Sequence, residues 1–194
     1  MIAPLDARRR PPLSGAASFS IGNRLERLAW KTVWLLLARW NPPFFSAWRI
    51  LLLRAFGADI HRSVNIAPTA RIWLPRNLTM GERSTLGPGV DCYDMGPIFI
   101  GERTIVSQRA VLCAGTHDIA DPYFQLVIKP IAIGSDVWIA AEAFVGPGVR
   151  IGDGTVLGAR ACVFSDLESW QVYVGNPASL LKKRRRDDDR DAEP

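Results

Sequence analysis

His117 is the residue with the clearest capacity for chemistry. It is one of two histidines in a chain of 194 residues, and an imidazole exchanges a proton near neutral pH, where other unperturbed side chains do not. It ends the run Leu112-Cys113-Ala114-Gly115-Thr116-His117, after which a regular pattern breaks into an insertion at 118–130. Taken alone, a histidine at such a corner reads as a polar residue with no task. The adjoining insertion raises its interest, because excursions from a repeat lie on the binding face. His61 has no comparable setting and reads as structural. Cys92, Cys113 and Cys162 lack metal-ligand spacing and cannot all pair, which suits a reduced compartment. No metal is expected. A zinc site of three histidines cannot be assembled from one chain that has two.

The elements that must position His117 are read from a six-residue period. Branched or long aliphatics recur at Ile60, Ile66 and Ile72, then after two extra residues at Met80, Leu86 and Cys92. Two further residues precede Ile100, Val106 and Leu112. After the insertion the series returns at Ile133, Ile139, Val145, Ile151, Leu157 and Val163. A period of six fits neither a helix nor simple strand alternation; it is the signature of a β-helix. Three hexapeptides make one triangular coil, so about five coils stack at about 4.8 Å. The expected fold is mainly β: a left-handed parallel β-helix with an N-terminal helical hairpin and a C-terminal capping segment. Gly87, Gly101, Gly134, Gly146, Gly152 and Gly158 follow their aliphatics and read as structural, not as phosphate loops.

The chain divides into a flexible N-terminal tail at 1–22, a helical hairpin at 23–59, the β-helix at 60–182 with its inserted loop at 118–130, and a charged tail at 183–194. Arg8-Arg9-Arg10-Pro11-Pro12 falls in the first tail. No apolar core of a signal peptide follows it directly. Asn23 is placed to cap the first helix, and Asn41-Pro42-Pro43 to end it. The second helix covers about 46–56. Lys31, Arg39, Arg49 and Arg54 interrupt the apolar runs, so neither helix offers the ~20 apolar residues of a bilayer span. Two readings of residues 23–56 stay open: packing on the prism or a neighbouring subunit, or a peripheral membrane contact with Trp30, Trp34 and Trp40 at the headgroups. The net charge is +5, and the basic residues concentrate at the two ends, without the aromatic interleaving of a nucleic-acid binder.

Thr116-His117, the insertion, Ile133-Gly134-Ser135-Asp136-Val137-Trp138-Ile139 and Val174-Gly175-Asn176-Pro177-Ala178 occur in an order that resembles the hexapeptide-repeat acyltransferases over residues 60–182. Asn65-Ile66-Ala67-Pro68, Gly89-Val90-Asp91-Cys92-Tyr93 and Gly115-Thr116-His117-Asp118 extend the likeness to the colanic-acid-type acetyltransferases of bacterial exopolysaccharide pathways, from about residue 23. The resemblance implies O-acetyl transfer from acetyl-CoA to a sugar hydroxyl, free or lipid-linked, in a cytoplasmic homotrimer with sites between prisms, at or away from the inner face of the membrane. It makes His117 the general base for a weakly nucleophilic hydroxyl. It assigns Trp138, which the register turns outward, with Ala141 and Ala159, to the acyl-CoA groove. Gly175, Asn176, Pro177 and Ala178 would close one side of the coenzyme channel. Where the family often carries Arg after that segment, this chain has Ser179, so phosphate contacts fall to Lys182, Lys183 or Arg184-Arg185-Arg186. Asp91 and Asp94 match positions of acceptor ligands, although either could instead be a turn residue. The alternatives are an acetyltransferase for a free small sugar or amino sugar, and a non-catalytic scaffold.

Overall fold

The computed structural model describes residues 3–9 and 18–185. Its body is a parallel β-helix. The first coil holds β1 (Asp59–Ile60), β2 (Asn65–Ile66) and β3 (Arg71–Ile72). The second holds β4 (Leu78–Met80), β5 (Thr85–Leu86) and β6 (Asp91–Tyr93), and the third β7 (Ile98–Ile100), β8 (Ile105–Val106) and β9 (Val111–Cys113). The hairpin β10 (Gly115–His117) and β11 (Leu126–Ile128) then leaves the prism. Coils four and five hold β12 (Ile131–Ile133), β13 (Trp138–Ile139), β14 (Phe144–Val145), β15 (Arg150–Ile151), β16 (Val156–Leu157) and β17 (Cys162–Val163).

Strands stack by position in the coil. The first face is β1-β4-β7-β12-β15, and the third is β17-β14-β9-β6-β3. The second face runs β2-β5-β8-β13-β16 and continues through β18 (Gln171–Val174) into β19 (Ser179–Lys183). Every aliphatic of the six-residue series, from Ile60 to Val163, is buried. Four residues on, small or β-branched side chains such as Val64, Ala70, Val137 and Ala143 fill the inner corners. Three of these corner residues are polar and satisfied locally: the hydroxyls of Ser84, Thr104 and Thr155 donate to the carbonyls of Gly81, Gly134 and Glu168.

A coil hands its backbone N–H groups to the carbonyls of the next coil, as in His61 N–H to Met80 O and Ala67 N–H to Leu86 O. The first coil therefore has carbonyls with no coil beneath them, and buried acceptors must be paired. The helical hairpin pairs them. Arg54 Nε donates to Ile60 O at 2.8 Å, Arg49 Nε to Ile66 O at 2.7 Å and Trp30 Nε1 to Ile72 O at 2.8 Å, one for each face. Arg49 is fully buried, and its fork also reaches the carbonyls of Pro42 and Pro43. This is why cations interrupt the apolar runs of the second helix, α2 (Ser46–Ala55).

The first helix, α1 (Ile21–Leu37), begins earlier than Asn23 predicts: Ser20 is its N-cap, and its Oγ accepts from Asn23 N–H at 3.3 Å. Asn23 is buried instead, and its Oδ1 accepts from Arg27 Nε at 2.9 Å. The segment before α1 is also engaged. Leu5 N–H donates to Ser18 O, and Ala7 N–H to Gln125 Oε1 on the inserted hairpin. Of the basic run Arg8-Arg9-Arg10-Pro11-Pro12, Arg8 lies 3.7 Å from Asp121, while residues 10–12 lie outside the described residues. So does the charged tail from 186 onward.

At the far end, the turn of residues 175–178 crosses the edge of the last coil. Cys162 N–H donates to Gly175 O, and Ala178 N–H returns a bond to Cys162 O. Among the described residues, no helix is long and apolar enough to cross a membrane.

Candidate active site

The first three coils each depart from the six-residue register at the same corner, between the third face and the first. Trp73 and Leu74 are the extra residues of the first coil, Tyr93 to Met95 lie in the corresponding bend of the second, and the β10–β11 hairpin leaves from the third. A cavity of about 370 Å³ lies there. Its wall includes Phe19, Arg27, Trp73, Tyr93, Met95 and His117. Arg27 stacks on Trp73, 4.3 Å from guanidinium carbon to ring centroid. Phe19 and Tyr93 flank the same ring at 4.9 and 6.1 Å.

His117 ends β10, opposite Leu126. Its Nδ1 lies 2.7 Å from Phe124 O. A carbonyl only accepts, so Nδ1 carries the hydrogen and Nε2 keeps the basic lone pair. Phe124 holds a left-handed backbone at φ 49°, which turns its carbonyl toward the ring. The insertion thus fixes both the tautomer and the orientation of the imidazole.

Gly115, also in the cavity wall, cannot grow without a response, because a Cβ there would lie 2.0 Å from Met95 Cε. His61 sits elsewhere, at an exposed corner, with Nδ1 2.8 Å from Ser63 Oγ. Cys92 is buried, and burial pushes its thiol well up. Cys113 Sγ donates to Gly115 O.

The acceptor role expected of Asp94 gives way to a structural one. The residue is 0% exposed, and its Oδ1 accepts from the N–H groups of Trp73 and Leu74 at 2.7 and 3.1 Å. It ties the extra residues of the first coil to the second. Burial pushes its carboxyl up to about 8 against the pull of those two bonds. Asp91 stands on the outer side of β6, paired with Arg71 at 2.7 Å. Neither carboxylate is in the described lining of the His117 cavity.

The residues expected to hold the coenzyme are elsewhere on the prism. Trp138 projects from the second face, 49% exposed, and its indole donates to Ser107 Oγ at 2.9 Å. Ala141 and Ala159 stack at the corner between the second and third faces, where Arg160 N–H donates to Ala141 O. Small side chains leave that backbone shelf accessible. Gly175, Asn176 and Pro177 are exposed in the turn joining β18 to β19.

Lys182 and Lys183 line a recess of about 540 Å³ with Val172, Arg184 and Arg185. Arg184 is committed to the fold: its Nη1 donates to the carbonyls of Asp136 and Gly154 at 2.8 and 2.7 Å, and it covers Trp170. The basic recess and the small-residue shelf suit a diphosphate and a slender acyl-bearing arm. The candidate residues therefore fall into two groups on one prism: His117 at one corner, and the shelf, Trp138 and the lysines on another side.

Sequence reasoning missed Phe19, Arg27, Trp73 and Met95. A signal existed, since all three register breaks fall after the third hexapeptide of a coil and so stack on one corner.

Residues 130–165 match the family model described as bacterial transferase hexapeptide (six repeats). The chain is 42% identical over 166 residues to an Escherichia coli (strain K12) protein named as a colanic acid biosynthesis acetyltransferase, WcaF. The match covers 86% of this chain and 91% of the relative. Among solved structures, a maltose O-acetyltransferase from Clostridium difficile 630 superposes with a TM-score of 0.77 at 24% identity, covering 86% of this chain and 90% of that one. A hexapeptide-repeat acetyltransferase from Vibrio cholerae, complexed with acetyl coenzyme A, gives 0.76 at 23%, covering 94% and 100%. At those identities, the two structures establish the shared fold.

Proposed function

This chain belongs to the colanic-acid-type hexapeptide-repeat acetyltransferases, and on that premise we propose that it transfers an acetyl group from acetyl-CoA to a sugar hydroxyl in exopolysaccharide biosynthesis. The observation that carries the site assignment is the Nδ1–H···O=C bond from His117 to Phe124, which leaves a basic Nε2 on a residue lining the cavity.

A sugar hydroxyl is a poor nucleophile at neutral pH, whereas a thioester is already activated; a base is the missing part. In the proposed reaction the hydroxyl oxygen bonds to the thioester carbonyl carbon as its proton passes to His117 Nε2. The carbon–sulfur bond then breaks, and the proton passes to the departing thiolate. No covalent enzyme intermediate is needed. Trp138, Ala141, Ala159 and the turn of residues 175–177 are the proposed contacts of the acyl-bearing arm. Lys182 and Lys183 are the proposed partners of the coenzyme phosphates.

The two groups lie apart on one prism, which supports a homotrimer in which His117 of one copy meets the shelf of the next. Flat faces permit such closure about a threefold axis. The apolar outer side of residues 23–56 supports contact with a lipid surface.

The test is mass spectrometry of acceptors incubated with the protein and acetyl-CoA, using a panel of nucleotide- and lipid-linked sugars. A gain of one acetyl group on a hydroxyl is expected. Absence of acetyl-CoA binding would instead favour a scaffold. Light scattering showing a stable monomer at micromolar concentration would overturn the shared site.

A further inference from the structure

The carbonyl that fixes His117 needs fixing itself. Phe124 lies in the turn of the inserted hairpin, whose strands β10 and β11 form a two-stranded sheet of their own. A sheet of two strands is marginal in water without outside support. Phe124 also holds its left-handed backbone at φ 49°, which a bulky residue keeps only where its surroundings over-determine it. Within the turn, Phe124 N–H donates to Asp121 O at 2.9 Å, and Tyr123 N–H to Asp121 Oδ1 at 2.8 Å. Asp118 N–H donates to Gln125 O at 2.9 Å and closes the hairpin.

The outside support comes from the start of the chain, and it reaches both sides of Phe124. On one side Arg8 lies 3.7 Å from Asp121, whose side chain is 10% exposed. On the other, the Gln125 amide bonds the backbone of the N-terminal segment twice. Its Oε1 accepts from Ala7 N–H at 2.7 Å, and its Nε2 donates to Leu5 O at 3.2 Å. Leu5 N–H in turn donates to Ser18 O at 2.8 Å, and Ser18 is in the wall of the His117 cavity. The segment thus joins the cavity wall to the hairpin that carries the imidazole. A loose tail would make none of these bonds.

We propose that residues 5–8 form a strap that holds His117 in its basic tautomer, with Gln125 as the positioning residue through which it acts. Tied to the strap, Asp121 and Gln125 fix the backbone of Phe124, and its carbonyl takes the Nδ1 hydrogen. Released, that carbonyl moves off, and the ring takes the tautomer a free imidazole prefers, with the hydrogen on Nε2. The lone pair then sits on Nδ1, and Nε2 can no longer take a proton. The effect on the imidazole rests on geometry alone; its consequence for turnover rests on the acetyltransferase reading.

The tautomer is read by nitrogen NMR of the full chain carrying isotope-labelled histidine, at about pH 8, where an ordinary imidazole is neutral. Two histidines give a simple spectrum, and His61 serves as the internal control. Gln125→Met keeps the length of the side chain and removes the amide. Ala7→Pro removes the N–H from the other end of the tie; Ala7 opens a short 3₁₀ turn, where the fixed φ of proline fits. The parent should show His117 with its hydrogen on Nδ1. In each variant the Nε2–H form should become the major one, with His61 unchanged. Turnover of the acceptor identified by mass spectrometry should fall about tenfold as the competent fraction drops, with acetyl-CoA affinity unmoved. The double variant should be no worse than Gln125→Met alone, because both changes break one tie.

The parental tautomer in both variants overturns the strap, and so do losses that add in the double variant. If Gln125→Met does not fold, Ala7→Pro, which alters no residue of the prism, decides alone. If the parent binds and uses acetyl-CoA while the tautomer ignores both changes, this inference falls and the acetyltransferase reading stands. If the tautomer responds while the parent acetylates no acceptor, the strap stands and that reading falls.

Discussion

Two corners of the prism and the third are made from the same hexapeptides, yet they do opposite things. At the regular corners, residues with left-handed backbone stack coil on coil. Arg109, Glu142 and Arg160 do so at φ 58°, 61° and 58°, with both arginines bonded to Glu142. Arg103 and Asp136, at 54° and 58°, form a bidentate pair at 2.7 and 2.8 Å. Side chains in that conformation are strained, and cross-coil bonding accompanies the strain. Among the described residues such corners pack closely and enclose no cavity, so a ligand meets them only from outside, as on the shelf of Ala141 and Ala159. The third corner gives up the register in three successive coils. It holds a buried carboxyl, Asp94, and a cavity with a fixed imidazole. Regular stacking builds the rod, and the places where the period fails build the cavity that His117 lines.

The sharpest way to break this contrast is at His117. His117→Ala removes the proposed base without adding charge. Loss of general-base assistance costs about 10²- to 10⁴-fold in rate, or about 3–5 kcal/mol in barrier. Acetyl-CoA affinity should hardly move, because the proposed coenzyme contacts lie on another side of the prism. His61→Ala should leave turnover within a few-fold. Steady-state turnover and acetyl-CoA affinity for both variants decide it. Near-normal turnover in folded His117→Ala protein would end the base assignment.

Glycines at the two kinds of corner give the next largest effect. A Cβ on Gly101 would lie 2.5 Å from the backbone carbon of Gly134, and backbone in the neighbouring coil cannot yield. Gly101→Ala should cost about 3 kcal/mol and lower the melting temperature by about 6–12 °C. A Cβ on Gly115 meets Met95 alone, and its closest approach is to Cε at the end of that flexible side chain. Gly115→Ala should therefore melt within about 2 °C of the parent, while turnover falls several-fold as Met95 is displaced. Calorimetry beside turnover separates the two, and equal melting losses would show that the irregular corner is packed as rigidly as the regular ones.

Asp94 turns the comparison into a pH dependence. Its carboxyl sits at about 8 in the fold through burial, against about 3.9 when unfolded. The folded state then binds the proton more tightly, so stability falls as pH rises from about 4 through about 8. Asp94→Asn keeps an oxygen for the Trp73 and Leu74 N–H groups and cannot ionise. Thermal melts at pH 6 and pH 9 should differ by several degrees in the parent and by clearly less in the variant. Parallel pH profiles would mean that Asp94 is ionised and solvated.

The rod was the legible part. Every member of the series from Ile60 to Val163 is buried, because a repeat writes its own register into the sequence. His117 was legible as the residue at the main break. Phe19, Arg27 and Trp73 were not, since helix and coil residues far apart in sequence meet only through packing. Asp94 misled because a carboxylate near a site resembles a ligand until its burial is known. The helix cap moved from Asn23 to Ser20 because both residue types can cap, and the burial of Phe19 and Asn23 selects between them.

The smallest expected effect falls on the regular corner itself. Glu142 has its carboxyl held below the usual range by hydrogen bonds from Arg160 and Arg109. A depressed carboxyl contributes stability above its unfolded pKa near 4.3 and loses it as pH falls through the lower folded value. The ladder is solvated, so screening leaves little of that attraction. Glu142→Gln should shift the melting temperature at neutral pH only slightly, and less still in high salt. It keeps the strained φ while removing the charge. Glu142→Gly does the reverse in part: it loses the charge but also relieves the left-handed strain, so it should melt no lower than Glu142→Gln. Melts of both variants at low and high salt separate the two terms. A large loss in Glu142→Gln alone, fading in high salt, would mean that the ion pairs hold the corner, and that the close stacking of the coils does not.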